Sequence, residues 1–240
     1  MLSIIIPTYN AQATLPATFQ SLMSALVDGM IKEVIVTDGG STDKTAQMAE
    51  EAGATLIKAR KKGRGPQLAE AAKIAKSNWL LFLHADTHLE QGWHLEVEDF
   101  IESTGQTSPL PKPAAFTFAL KEKGIWPSLL TKLVKIRTAT FGMPYGDQGL
   151  LIAKTTYEKA GGFKQLPIME DVDLLRRLTP RPVQLKSRAY TSAVRYQQEG
   201  YVKRIARNQL CLAAFYRGVP IEKIEAWYEP AYDQNHDPKK

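Results

Sequence analysis

Trp79-Leu-Leu-Phe-Leu-His-Ala-Asp-Thr87 opens with five apolar residues and then turns abruptly polar. A continuous apolar run of this length fits a strand buried on both faces of a sheet. In open α/β sheets ligands gather outside the carboxyl ends of the strands, so Leu80 to Leu83 would anchor in the core while Asp86 projects into a crevice. That places an active-site address at the end of this strand.

Working back from it, strand and helix patterns alternate. Leu2 to Pro7 reads as a buried strand ended by the turn Thr8-Tyr9-Asn10. Between Ala11 and Leu26, apolar residues recur at Leu15, Phe19, Leu22, Met23 and Leu26, the spacing of an amphipathic helix. Val34 to Thr37 is a second strand. Asp38-Gly-Gly-Ser-Thr-Asp43 is a glycine-bearing turn whose end suits capping of a helix over Lys44 to Ala52. A short strand at Thr55 to Lys58 leads into Arg60-Lys-Lys-Gly-Arg-Gly-Pro66, with four positive charges and two glycines, and a helix from Gln67 to Ala75. This alternation predicts a mostly parallel, doubly wound α/β sheet flanked by helices.

Beyond the opening stretch the composition shifts. Ser103 to Pro113 is a Ser/Thr/Pro-rich loop and Ala114 to Leu120 a strand. Residues 126–137 set Trp126, Leu129, Leu130, Leu133, Val134 and Ile136 among Lys132, Lys135 and Arg137. That pattern reads either as a core-facing helix with a solvated side or as an interfacial helix holding the protein near a lipid-linked acceptor. The turn-rich Phe141 to Gly149 runs into a strand at Leu150 to Ala153. Helices are expected at Thr155 to Ala160, Asp171 to Leu178, Gly200 to Gly218 and Ile221 to Tyr228, with a late strand at Val183 to Leu185. The polar end, residues 229–240, reads as a frayed tail.

The bulk numbers exclude several classes. With 240 residues and 44% apolar composition, the chain can bury a core of ordinary size. A formal charge of +6 suits phosphorylated ligands, nucleic acid or an anionic membrane equally, although no nucleic-acid motif accompanies it. The single cysteine, Cys211, rules out an internal disulfide and a zinc cluster and points to a reducing compartment. A strand pattern begins at once, with no signal-peptide n-region, and no apolar run reaches spanning length. The expectation is a cytoplasmic protein, peripheral at most at the inner face of a membrane.

Taken together, Ile6-Pro-Thr-Tyr-Asn10, Asp38-Gly-Gly-Ser-Thr-Asp43, His84-Ala-Asp86 and Glu170-Asp171 resemble the family 2 glycosyltransferases of GT-A fold over roughly residues 1–195. Gly63-Arg-Gly-Pro-Gln67, His84-Ala-Asp-Thr87 and Tyr145-Gly-Asp-Gln-Gly149 are similar to a bacterial subgroup of that family. The resemblance implies a single GT-A-like domain over residues 1–228, its first hundred residues binding nucleotide and the remainder facing the acceptor. It implies transfer of a sugar from a nucleotide-diphosphate sugar, a UDP-sugar by preference, to an acceptor hydroxyl. The expected transfer inverts the anomeric centre and depends on a divalent cation, Mg²⁺ or Mn²⁺.

Roles follow by position. Asp38 would accept hydrogen bonds from the base, in a pocket walled by Pro7, Thr8 and Tyr9. Asp86, with Ala85 beside it, matches the last carboxylate of the family's metal-binding D-x-D element, and His84 stands where the family often has an acidic residue. A hard cation needs one or two carboxylates plus phosphate oxygens, so one aspartate suffices chemically. Arg64 and Gln67 would meet the pyrophosphate, and Arg195, of an Arg-Tyr pair, would close over it. Asp171 matches the catalytic base, with Glu170 its neighbour. Tyr145, Asp147, Gln148 and Glu170 would face the donor sugar or the acceptor. Two other classes share the layout. A nucleotidyltransferase carries a glycine- and basic-rich signature after the first strand, where this chain has Pro7-Thr-Tyr-Asn10. A catalytically inert sugar-nucleotide-binding protein is favoured by His84.

Overall fold

The Trp79 stretch sits mid-sheet in the computed structural model, which describes residues 1–61, 63–105, 110–122, 124–141 and 144–228. β4 spans Trp79–Phe82 and β1 spans Leu2–Thr8, both buried along their whole length. Their side chains divide by the strand period of two. Leu2, Ile4, Ile6, Trp79, Leu81 and Leu83 join one core layer. Ile5, Leu80 and Phe82 join the other. Burial of each such side chain contributes about 1.5–3 kcal/mol, so this pair of strands is the spine of the fold.

β2 (Ile31–Asp38) and β3 (Thr55–Lys58) extend the sheet on one side of β1. β5 (Thr87–Leu89), β6 (Ala114–Leu120), β7 (Leu150–Ala153) and β8 (Val183–Thr191) complete an eight-stranded sheet ordered β3-β2-β1-β4-β7-β6-β8-β5. The β3-β2-β1-β4 half is parallel throughout, as expected. The other half is mixed: β7 runs antiparallel to both β4 and β6, β8 parallel to β6, and β5 antiparallel to β8.

The helices are α1 (Leu15–Val27), α2 (Thr45–Glu51), α3 (Arg64–Ile74), α4 (Trp93–Gly105), α5 (Ile125–Phe141), α6 (Lys154–Lys159), α7 (Glu170–Arg177), α8 (Val194–Glu199), α9 (Tyr201–Tyr216) and α10 (Ile221–Tyr228). Several boundaries differ from the sequence reading, and three of them have a clear physical cause. α1 begins at Leu15 rather than Ala11, because Pro16 has no N–H to donate and fits only a first turn. α3 begins three residues early, so Arg64 belongs to the helix rather than to the loop before it. β8 runs on to Thr191 because its outer face is polar, with Lys186 and Arg188 exposed, which hides it from a search for apolar runs. The expected capping role of Asp43 is met: its Oδ1 accepts from the Thr45 N–H at 3.0 Å. The expected frayed tail, residues 229–240, lies outside the described residues.

Candidate active site

At the carboxyl ends of β1 and β2, two loops close on each other. Asp38 is buried, and its Oδ2 accepts from the N–H groups of Gly40 at 3.0 Å and Ser41 at 2.9 Å. Its Oδ1 accepts from the Ser41 hydroxyl and, at 3.2 Å, from the Thr8 hydroxyl. These four donors occupy the acceptor positions of a carboxylate. The expected direct bond from Asp38 to a base is therefore corrected: the carboxylate is committed to shaping its own turn. Asn10 locks the other side, accepting from the Thr42 N–H at 2.9 Å and donating its own N–H to the Ser41 hydroxyl at 2.9 Å. Pro7 and Thr8 are buried beneath this seam and Tyr9 stands exposed at its lip.

Gln67 is also corrected. It is buried on α3, and its Nε2 donates to the carbonyls of Thr8 at 2.9 Å and Thr37 at 2.7 Å. It staples the ends of β1 and β2 together and has no face for a pyrophosphate. The glycines beside it serve close approach. A Cβ on Gly65 would fall 2.3 Å from the Lys164 carbonyl and 2.5 Å from that of Leu166, and one on Gly63 would fall 2.6 Å from Pro167 Cα. The backbone N–H of Arg64 donates to Pro167 and that of Gly65 to Leu166, at 3.2 and 3.1 Å. The start of α3 is thus welded to the segment leading into α7.

That weld aims Arg64. Its Nε lies 2.9 Å from Oε1 of Glu170, whose side chain is fully shielded, while Arg64 keeps about a third of its own surface exposed. Burial alone would lower the guanidinium. The attraction of Glu170, the Tyr228 phenol, Asp171 and Asp86 outweighs it and holds the group charged. Burial likewise pushes the Glu170 carboxyl up to about 7, against the pull of Arg64 and with a further push from Asp171. Glu170 was expected on the sugar side; it points instead into protein.

Beyond β4, Ala85 is buried, and its carbonyl accepts from the Thr18 hydroxyl of α1 at 3.0 Å. The Thr87 N–H donates to the His84 carbonyl at 3.1 Å, closing a turn that leaves Asp86 exposed. Asp171 enters on the first turn of α7, after Met169 in the left-handed conformation (φ 60°). Its Oδ2 accepts from the Gly146 N–H and its Oδ1 from the Val172 N–H, both at 2.7 Å. A Cβ on Gly146 would lie 2.6 Å from His84 Nε2 and 3.3 Å from Asp171 Oδ2, so His84 and Asp171 flank one glycine. A small cavity there is walled by Leu83, His84, Tyr145, Gly146, Glu170 and Asp171.

Asp147 is half-buried on the short 3-10 turn Gly146–Gln148. Gln148 is fully buried, donating to the Phe116 carbonyl at 3.0 Å and accepting from the Thr138 hydroxyl at 3.1 Å. It was expected to face the sugar, and burial turns it inward instead. The Arg195 side chain lies outside the described residues. Two contributors had no sequence signal as site residues: Ser41, which completes the Asp38 turn, and Tyr228, which acts on Arg64 from a helix 164 positions away in sequence.

Among the described residues no three His, Cys, Asp or Glu side chains converge to hold a metal. Exposed Asp86 fits a hard cation only where a ligand's own phosphate oxygens and water complete the shell.

Comparison with known proteins accords with this geometry. Residues 3–123 match the model of the family described as Glycosyl transferase family 2. Over 95 residues the chain is 38% identical to a PGL/p-HBAD biosynthesis glycosyltransferase of Mycobacterium bovis, covering 37% of this chain and 36% of that protein. Over 193 residues it is 28% identical to an uncharacterized glycosyltransferase of Haemophilus influenzae, covering 76% of this chain and 63% of that one. The chain thus spans only about a third of the first of these relatives. The crystal structure of glucosyl-3-phosphoglycerate synthase from Mycobacterium tuberculosis, in complex with Mn²⁺, UDP and glucosyl-3-phosphoglycerate, superposes with a TM-score of 0.60. The match is 19% identical and covers 92% of this chain and 81% of that one, a likeness of fold.

Proposed function

The chain belongs to glycosyl transferase family 2, and we propose that it transfers a sugar from a nucleotide-diphosphate sugar to an acceptor hydroxyl with inversion. The observation that carries this reading is the meeting of Asp171 with His84 and Gly146, with exposed Asp86 two residues beyond His84 on the same turn. Asp171 takes the acceptor's hydroxyl proton as that oxygen bonds to the anomeric carbon and the bond from that carbon to the diphosphate breaks. One displacement with one base inverts the centre. Both oxygens of Asp171 are fixed by backbone N–H groups, so the carboxylate is oriented before substrate arrives.

The donor's base enters at Pro7, Thr8 and Tyr9, against the turn that Asp38 holds in shape. The UDP in the superposed synthase supports uridine as the favoured base. Arg64, stationed by Glu170, meets the negative charge that develops on the departing diphosphate. His84 lies between base and diphosphate sides and donates to a phosphate or the ribose. Tyr145 and Asp147 border the sugar. Asp86 is the residue that would hold a divalent cation, completed by oxygens of the donor's diphosphate, and such an ion would supply neutralisation of charge on the leaving group.

A thermal-shift series with nucleotide sugars, with and without Mn²⁺, followed by chromatographic detection of released nucleoside diphosphate, tests the proposal. Stabilisation together with release is expected. Stabilisation without release, in the presence of any acceptor, would instead make the protein a sugar-nucleotide binder.

A further inference from the structure

Helix α5 is apolar on two sides. Its inner side, Leu130 and Val134, packs on Phe118, Leu120 and Ala193. Its outer side shows Ile125, Trp126, Leu129, Leu133 and Ile136, with Ile125 84% and Ile136 62% exposed. At the helical advance of about 100° per residue these five fall within a single arc of about 100°. An apolar helix is normally covered all round, and a stripe of large apolar side chains left in water marks a contact surface. Exposed Lys132 and Lys135 flank the stripe, and no aspartate or glutamate occurs anywhere from Ile125 to Phe141.

We infer that this face of α5 lies in the interface of an anionic lipid bilayer. Charge decides between the occupants. Pairing with a second copy would set Lys132 and Lys135 against their own images, whereas a surface of acidic headgroups complements both. The stripe and its basic flank form the two halves of an in-plane amphipathic helix, and Trp126 supplies an interfacial aromatic. Among the described residues no helix is long and apolar enough to cross a membrane, which agrees with a helix lying on the surface. The far end of α5 is joined to the acceptor side of the crevice, since the Thr138 hydroxyl donates to Gln148 in the turn that begins with Gly146. Docking α5 therefore holds that turn close to the lipid surface. The acceptor this favours is one carried on a lipid, a consequence that rests on the reading of Asp171 as base. The docking itself does not.

Sedimentation of the full chain with phosphatidylcholine vesicles, with and without phosphatidylglycerol, tests the surface. The chain should pellet with the anionic vesicles, and bromine-labelled lipid should quench fluorescence in the wild-type chain but less in Trp126→Phe. The double substitution Leu129→Glu with Leu133→Glu should reduce binding by more than about tenfold. Lys132→Glu with Lys135→Glu should do the same, since each basic group at such a surface contributes about fivefold. All four side chains point outward, so both variants should melt as the wild type does. A wild-type chain that ignores anionic vesicles, or variants that pellet equally well, would overturn the assignment. A dimer that the glutamate variant splits, with no vesicle binding, would give the face to a second copy.

Discussion

Glu170 is an acid enclosed by protein, and its titration should be visible in the stability of the whole chain. Folded, it keeps its proton up to about 7; unfolded, it loses it at its ordinary 4.5. Between those values the native state binds the extra proton, so the stability Glu170 contributes is complete below 4.5 and declines as pH rises to 7, by at most about 3 kcal/mol. Glu170→Gln removes this slope, so melting midpoints of wild type and variant measured from pH 4.5 to 8 should diverge in that window; parallel curves would mean that Glu170 titrates normally. Its neighbour differs in kind. Asp171→Asn can keep the hydrogen bond from Gly146 through its one carbonyl oxygen while giving up that from Val172, so nucleotide affinity should survive within about threefold while transfer falls by about 10² or more. Unchanged turnover would remove Asp171 as base. The sequence separates these two residues poorly, because adjacent positions at a helix start differ only in which way they face. The same holds for Gln67 and Gln148: a polar residue in a motif reads as a ligand contact until its partners are seen, and those partners are carbonyls of distant strands. Asp86 was legible because the apolar run that delivers it leaves one direction for it to point.

At the scale of elements, the joint between the start of α3 and the segment before α7 ties Arg64 to Glu170 and Asp171, and so would couple the proposed diphosphate side to the proposed base. Gly65→Ala drives a methyl group into two backbone carbonyls that no rotamer change can relieve. A loss of about 1–3 kcal/mol is expected in denaturant melts, and Arg64 should leave its station, so nucleotide affinity should fall as well. If stability drops while affinity holds, the weld supports only the fold. Arg64 stands between Gly63 and Gly65, and those glycines answer to the close passage of residues 164–167, a contact across a hundred positions that local pattern cannot encode. β1 and β4 were legible because a strand buried on both faces must be apolar along most of its length. β5 and α4 had no counterpart in the reading, although Trp93, Val97, Phe100 and Ile101 recur at helical spacing and all meet the core. Polar neighbours such as Glu96, Glu98 and Asp99 mask that helix. Glu96 is itself structural, accepting from the Lys186 and Ser187 N–H groups of β8 at 2.7 Å each.

Across the whole molecule, the parallel half of the sheet supplies Asp86 and the Asp38 turn, and the mixed half with α7 supplies Asp171, so on the proposed mechanism the donor and acceptor would meet along the line between β4 and β7. A ligand that bridges this line stabilises both halves, and its linkage to metal is measurable without knowing the sugar. With Asp86 as the single carboxylate proposed for the cation, cation and nucleoside diphosphate would each lack ligands without the other, so their binding should be cooperative: Mn²⁺ raises UDP affinity and UDP raises Mn²⁺ affinity by the same factor. At a nucleotide concentration about a hundred times Kd, thermal stability should rise by about 2.7 kcal/mol with Mn²⁺ present. Asp86→Ala removes the shared ligand from an exposed turn held independently by Thr18 and the His84 carbonyl. The variant should therefore melt like the wild type without ligand, while calorimetry finds equal UDP affinity with and without Mn²⁺. A variant that retains the metal-dependent gain would exclude Asp86 as the cation's anchor and shift the search to carboxylates on the α7 side of the crevice.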